Sequence, residues 1–388
     1  MQRPSLRIQR RAAERLAAGH VWVYASDVDR PGNAQPGDTV TVLDARGLPL
    51  GTAQFSAASQ IALRLFSAQV EPLDEDFFRR RLSAAIAHRR KAVRDSTACR
   101  LVFSEADRLP GLIVDQYGDT LVLQTLTQGM DRIQPLIVSL LDELLSPAGI
   151  WERNDAAVRT KEQLPFRSGP VAGSPVGSVD VRMNGILFHA DLAAGQKTGV
   201  YLDQRENYVA AARWAHGEAL DCFTSTGGFA LHLAKSCASV EASDSGAAAL
   251  AAAARNAERN GINNIRFQEA DVFDLLSTHR SAGRRFQTIV LDPPAFAKTK
   301  SSLDGAGRGY KEINLRALQL LEPGGILVTC SCSHHMSEQM LLDAVNEAAR
   351  DTRRTLRLLE RRTQASDHPI LPAIPETLYL KCLILEVL

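Results

Sequence analysis

Residues 220–235 read LDCFTSTGGFALHLAK: an apolar strand, a turn holding two glycines, and the opening of a helix. Strand, tight turn and helix form the unit from which doubly wound α/β sheets are built, and the turn lets backbone approach a ligand closely. Outward from it the alternation repeats. ASVEASD (238–244), IRFQEAD (265–271), QTIVLDPP (287–294) and GGILVTCS (324–331) each set an apolar run just before polar residues, with helical stretches at 247–260 and 310–321. This pattern predicts a mostly parallel, doubly wound sheet that gathers ligands at the carboxyl ends of its strands.

The turn Thr226-Gly227-Gly228 is not GxGxxG, so a pyrophosphate cofactor lacks its usual cradle. A zwitterionic amino-acid tail needs instead an acid for its ammonium and backbone amides for its carboxylate, which Asp221 and this turn could supply. Asp244, at the end of the second strand, is placed for a ribose diol, and Asp271, ending the third, for an adenine amino group. Taken singly, each acid reads more readily as an exposed loop residue or a helix cap than as a ligand group; together, at successive strand ends, they favour a nucleoside ligand. In IVLDPPAF (289–296) a buried strand delivers Asp292, Pro293 and Pro294 stiffen the turn, and Phe296 offers a ring. Such a turn can hold a planar base by its edge and its face. At this motif the chain resembles the class I S-adenosylmethionine-dependent methyltransferases, whose fourth-strand motif has this form.

TCSCSHHM (329–336) places Cys330 and Cys332 two residues apart, on one face of a continuing strand, and spacing alone does not choose between them. C5 of a pyrimidine is too weakly nucleophilic to take a methyl group unaided; thiolate attack at C6 makes it enamine-like. The competing readings are an inert core cysteine and a metal site with His334 and His335. No second Cys/His cluster exists to complete a tetrahedral set, so no metal is expected.

At 388 residues the chain exceeds the ~250–300 at which single cores stop growing, so two or three domains are expected. Residues are 45% hydrophobic and 23% charged, without an apolar run of membrane-spanning length, which argues against disorder and a bilayer protein. Lys plus Arg (45) balances Asp plus Glu (44), so any basic surface is local. Six cysteines and an opening without a long apolar stretch point to a reducing cytoplasm rather than secretion.

Residues 1–70 alternate with period two between Gly and Pro turns and predict a small β-barrel, on which Arg3, Arg7, Arg10, Arg11 and Arg15 face one nearby acid, Glu14. Residues 71–95 read as a connecting helix and 96–185 as a small α/β middle domain with a helix near 133–145. PFRSGPVAGSP (165–175) reads as a loop, and Asn184-Gly185 as a hairpin turn. The doubly wound domain then takes 186–388.

AGQKTGVYLDQREN, DCFTSTGGFAL, DPPAFAK, TCSCSHHM and the terminal DHPILPAIPETLYLK together resemble the RlmI-like family of ribosomal RNA large-subunit methyltransferases. GHVWVYASDV and PGDTVTVLD are similar to that family's N-terminal PUA domain. The resemblance implies S-adenosyl-L-methionine as cofactor, held by Lys197, Thr198, Tyr201, Asp203, Gln204, Asp221, Gly227, Asp244, Asp271 and Asp292, with Cys332 as nucleophile. It implies methylation of cytosine C5 in large-subunit ribosomal RNA, with Asp292, Pro293 and Phe296 at the base and Arg7, Arg10 and Arg11 on the RNA; a homodimer is left open. Ala295 stands where a second catalytic cysteine would be in a two-cysteine enzyme. The alternatives are an exocyclic-amine or purine N-methyltransferase and a non-catalytic RNA-binding protein on a relic fold.

Overall fold

The computed structural model describes residues 3–29, 32–193, 200–296 and 303–388, with the side chain of residue 304 left aside. The chain forms two compact units. One comprises Met1–Val181, Ala190–Val200 and Ser366–Thr377; the other Arg182–His189, Tyr201–Ala365 and Leu378–Leu388.

The first unit opens with strands Ser5–Arg7, Trp22–Tyr24, Thr39–Leu43, Pro49–Phe55 and Ile61–Ser67 in one sheet, the second strand on the far edge beside the fifth. An all-β reading of this region misses the helix Arg10–Ala17, which buries Ala12 and Leu16 against Leu6, Ile8, Val40 and Val42. Eight residues with four charges hide so short an apolar stripe.

The next helix, Glu75–Ala92, starts where the Asp74 carboxylate accepts the Phe77 N–H at 3.0 Å. It is more than a connector. Phe77, Phe78, Leu82 and Ala85 join one core with Leu101, Val114, Leu123 and Ile137 of the middle sheet and its helix. That sheet contains Ala98–Phe103, Leu112–Tyr117, Thr120–Thr125, Gly149–Asn154 and Arg167–Gly173. The last corrects the loop expected at 165–175: Arg167–Gly173 pairs antiparallel with Gly149–Asn154. Its Pro170 is tolerated because the strand is at the edge, with a register shift between Pro170 and Ala172. At Asn184-Gly185, which belongs to the second unit, both residues have positive φ (53° and 72°), as a hairpin turn at this pair requires.

The second unit is built on a seven-stranded sheet. Its strands are β1 (Glu218–Cys222), β2 (Ser239–Asp244), β3 (Ile265–Glu269), β4 (Phe286–Leu291), β5 (Leu321–Ser331), β6 (Leu356–Arg362) and β7 (Lys381–Val387), in spatial order 3-2-1-4-5-7-6. β1 to β5 run parallel, and β7 is antiparallel to both β5 and β6. Helices α1 (Arg205–Trp214), α2 (Gly228–Leu233), α3 (Ala247–Arg259), α4 (Val272–Ser281), α5 (Leu303–Leu320) and α6 (Glu338–Asp351) alternate with the strands. Two apolar cores lie against the sheet, one of Leu276, Ile313 and Val345 with Leu220, Ile289 and Leu327, the other of Ala211, Phe229 and Leu233 with Val240, Val290 and Val328. Burial on both faces explains the apolar stretches at the centres of β4 (TIVL) and β5 (ILV).

Register brings the strand ends into line. Cys222 lies opposite both Ser243 and Leu291, Ser243 opposite Gln268, and Leu291 opposite Thr329. Polar residues that follow β1, β2, β4 and β5 are therefore delivered to one edge. Among the described residues, no helix is long and apolar enough to cross a membrane.

Candidate active site at the carboxyl edge of the sheet

Asp221, one residue from the end of β1, is fully buried. Its Oδ2 accepts the Thr224 hydroxyl at 2.6 Å and the Ala230 N–H at 2.9 Å, while Oδ1 has no hydrogen-bond partner among the described residues. Burial pushes its carboxyl up to about 7, against the lowering effect of those two bonds. The loop beyond it is tightly wound, with Phe223 and Ser225 at φ 65° and 50° and Gly227 at 90°. A side chain at Gly228 would place its Cβ 2.4 Å from the Tyr208 ring, so glycine is required for α2 to approach α1. Asp244 holds this loop from the end of β2: Oδ2 accepts the Ser225 N–H and Oδ1 the Gly246 N–H, both at 2.9 Å. Asp271 is exposed and caps α4, Oδ1 accepting from Phe273 and Asp274.

Asp292 follows β4, with its N–H directed at the Cys222 carbonyl 3.4 Å away. Pro293 is buried, and the Phe296 ring lies 4.8 Å from that of Tyr310 and 6.4 Å from that of Phe273. From α5, the Tyr310 hydroxyl donates to Ser331 Oγ at 2.8 Å. Burial pushes that phenol up to about 12, with the hydrogen bonds to Ser331 and Ser333 opposing and the charges of Cys332 and Asp292 adding. The two cysteines now separate. Cys330 is fully buried in β5 opposite Cys382, and burial raises its thiol well above the ordinary range. Cys332, beyond the strand end, is partly accessible.

The C-terminal segment completes this corner. Tyr379 donates its hydroxyl to Asp203 Oδ2 at 2.7 Å and its ring lies 5.5 Å from His334. Lys381 opens β7 opposite Ser331, is buried, and donates through Nζ to the carbonyls of Ser333 (2.6 Å) and Tyr379 (2.8 Å). Asp203 and Gln204 are buried and Tyr201 is half-buried. Lys197 and Thr198 lie outside the described residues.

Residues 137–386 match the family described as S-adenosylmethionine-dependent methyltransferase, and residues 6–68 match a PUA-like domain. The chain belongs to the S-adenosylmethionine-dependent methyltransferases. This methyltransferase is 43% identical over 377 residues to the ribosomal RNA large subunit methyltransferase I of Shewanella amazonensis, with 95% of each chain covered. Its identity to the enzyme of that name from Erwinia tasmaniensis is 41% over 375 residues, covering 94% of this chain and 95% of the relative. In fold it is similar to the methyltransferase SMU.776 crystallised with SAH, at TM-score 0.86 and 20% identity over 99% of this chain and 100% of that one.

The site suits the cofactor of this methyltransferase family. The unpartnered, buried Oδ1 of Asp221 fits a cationic ammonium, and the carboxylate that Asp244 presents beside the loop fits a diol. Asp271 carries a structural duty in capping α4 and offers Oδ2 beyond it.

Three residues at this edge of the methyltransferase are given no role by the sequence reading, although two of them, Tyr379 and Lys381, lie in the terminal motif DHPILPAIPETLYLK: Tyr310, Tyr379 and Lys381. Tyr310 was only a helix residue. A lone lysine opening the apolar run KCLILEV was the available signal for Lys381, because a charge at the head of a fully buried strand needs partners.

On the PUA-like domain the arginines are less free than the sequence suggests. Asp27, buried, takes Arg11 on Oδ1 and Arg15 on Oδ2 (2.6 Å), and Arg10 pairs with Glu14 at 2.8 Å. Arg7 and Arg10 remain exposed.

Proposed function

We propose that the chain methylates C5 of a cytosine in large-subunit ribosomal RNA, with Cys332 as covalent nucleophile. The observation that carries this reading is the corner at the ends of β4 and β5: these strands pair in parallel with Leu291 opposite Thr329, so Asp292 and the partly accessible Cys332 follow at neighbouring strand ends, while Cys330 is sealed in the strand opposite Cys382. The named relatives, at 41–43% identity over nearly the whole chain, support ribosomal RNA as substrate.

In this mechanism the Cys332 thiolate bonds to cytosine C6, and the C5=C6 electrons move toward C5. Asp292 accepts from the polar edge of the base and orients it, with the stiff Pro293-Pro294 turn fixing the approach. Phe296 supplies an apolar ring at the same turn. Bound S-adenosylmethionine supplies the electrophilic methyl group; Asp221, Asp244, Tyr201, Asp203 and Gln204, together with Gly227, Asp271, Lys197 and Thr198, are the residues assigned to hold it. Loss of the C5 proton to water then returns electrons to C5=C6 and expels Cys332 as thiolate. The PUA-like domain positions RNA through phosphates, which carry no sequence information themselves.

RNA carrying tritium at cytosine C5 tests this reading. Release of tritium to water in step with methylation, abolished by Cys332→Ala and retained in Cys330→Ala, is the expected result. Methyl transfer with tritium fully retained would exclude C5 and favour amino-group chemistry at the Asp-Pro-Pro turn.

A further inference from the structure

Beyond the nucleophile itself, the C-terminal strand brings a buried cation to the same corner. Lys381 stands opposite Ser331 across the β5–β7 pair, so its side chain reaches the Ser331-Cys332-Ser333 turn. Two of its N–H groups are committed to carbonyls, those of Ser333, the last residue of that turn, and of Tyr379, two residues before the lysine, which fixes Nζ instead of leaving it to sweep. The carbonyl that Nζ holds at 2.6 Å belongs to Ser333, the residue directly after Cys332, which places the ammonium at the cysteine's own turn. The other groups gathered here are Asp292 after β4, Tyr310 on α5, Asp203 through Tyr379, and His334 on the turn itself. Two of these are acids, which oppose formation of a thiolate; among the groups named, Lys381 is the lysine that favours it.

We propose that Lys381 is the positioning residue that stabilises Cys332 as a thiolate and holds the turn carrying it. The inference rests on the cytosine-5 reading for its purpose, but not for its test. Burial holds the lysine down to about 8, so near neutral pH the ammonium is present, and a neighbouring thiolate draws it back toward the charged form. The interaction is an ion pair of Cys S⁻ and Lys NH₃⁺; no proton is consumed and no co-reactant is needed. A lysine that merely ties two carbonyls would give the same hydrogen bonds with no effect on sulfur reactivity.

The experiment is alkylation of the full-length protein by iodoacetamide, followed at the Cys332 peptide by mass spectrometry across a pH series. In the unaltered protein the midpoint should fall below the ~8.5 of an ordinary cysteine. Lys381→Gln, which keeps one donor for the turn, should raise that midpoint by about one unit, a roughly tenfold drop in thiolate at neutral pH. Lys381→Arg should restore the lower midpoint. Turnover by Lys381→Gln should fall in kcat while KM for RNA and cofactor affinity stay unchanged. A midpoint at or above ~8.5 in the unaltered protein overturns the proposal without recourse to any variant. So does an unshifted profile in folded Lys381→Gln. Failure of the cytosine-5 reading shows separately, as tritium retention with the alkylation shift intact.

Discussion

Asp244 and Ser225 are 19 positions apart in the chain, yet Asp244 Oδ2 accepts the Ser225 N–H at 2.9 Å, where Ser225 holds a left-handed backbone at φ 50°. An acid at the end of β2 thereby fixes the shape of the loop after β1. The residue proposed for the ribose also maintains the loop beside the Asp221 carboxylate, so its removal is expected to affect the pocket twice.

Asp244→Ala is therefore expected to weaken S-adenosylmethionine binding by more than one lost charge-assisted hydrogen bond, about 1.5–3 kcal/mol, because the Ser225 amide loses its acceptor too. Titration calorimetry measures this. Asp244→Asn keeps an acceptor for the loop and should lose less; unchanged affinity in a folded Asp244→Ala would make Asp244 a loop residue only.

The ligand-free protein should lose stability as pH rises from about 4 to about 7. Asp221 has its folded value raised by burial to about 7, above the 3.8 of the free acid. Between these values the folded state keeps a proton that the unfolded chain has released, so stability falls with pH by about 1.4 kcal/mol per unit from this group. The contribution is complete below the unfolded value and gone above the folded one. Denaturant melts from acid to mildly alkaline pH should show this slope, and Asp221→Asn should flatten it; an identical slope in the variant would show that Asp221 is not its source.

Arg89 is almost wholly buried in its helix, with Nη2 2.7 Å from Asp107 Oδ2 and 2.9 Å from the Asp367 carbonyl, and Nε 2.8 Å from the Arg100 carbonyl. Arg89→Ala leaves a poorly solvated carboxylate and two carbonyls without their donor. A loss of about 3–5 kcal/mol is expected in equilibrium unfolding. A loss under 1 kcal/mol would mean that water replaces the guanidinium.

RNA affinity should depend steeply on salt, with Arg7 contributing most and Arg10 and Arg11 less, because Glu14 and Asp27 pair with them. Each phosphate contact removed should lower the slope of log K against log salt by about 1. Filter binding of Arg7→Ala, Arg10→Ala and Arg11→Ala over a salt series gives the three slopes. Equal slopes in all three and the unaltered protein would place the RNA elsewhere.

Local pattern was enough for the doubly wound sheet, because each strand buried on both faces is an apolar run and each ends at a turn with its own signature, as in LDCFTSTGG and IVLDPPAF. It was enough, too, to bring Asp221, Asp244, Asp292 and the Cys330/Cys332 pair to strand ends. Composition misread Arg167–Gly173, since a Pro- and Gly-rich segment becomes a strand only when an edge is open to receive it. The helix Arg10–Ala17 and the strands β6 and β7 were likewise not read. What tertiary structure alone decided is which cysteine is accessible and what surrounds it. Cys330 and Cys332 have the same spacing rule in the sequence; one ends up opposite Cys382 inside the sheet, and the other emerges past its edge. Lys381 is about 50 positions from that turn, and its neighbourhood follows from β7 returning antiparallel beside β5. Burial and charge proximity are sums over chain segments that meet only after folding, so no local pattern encodes them.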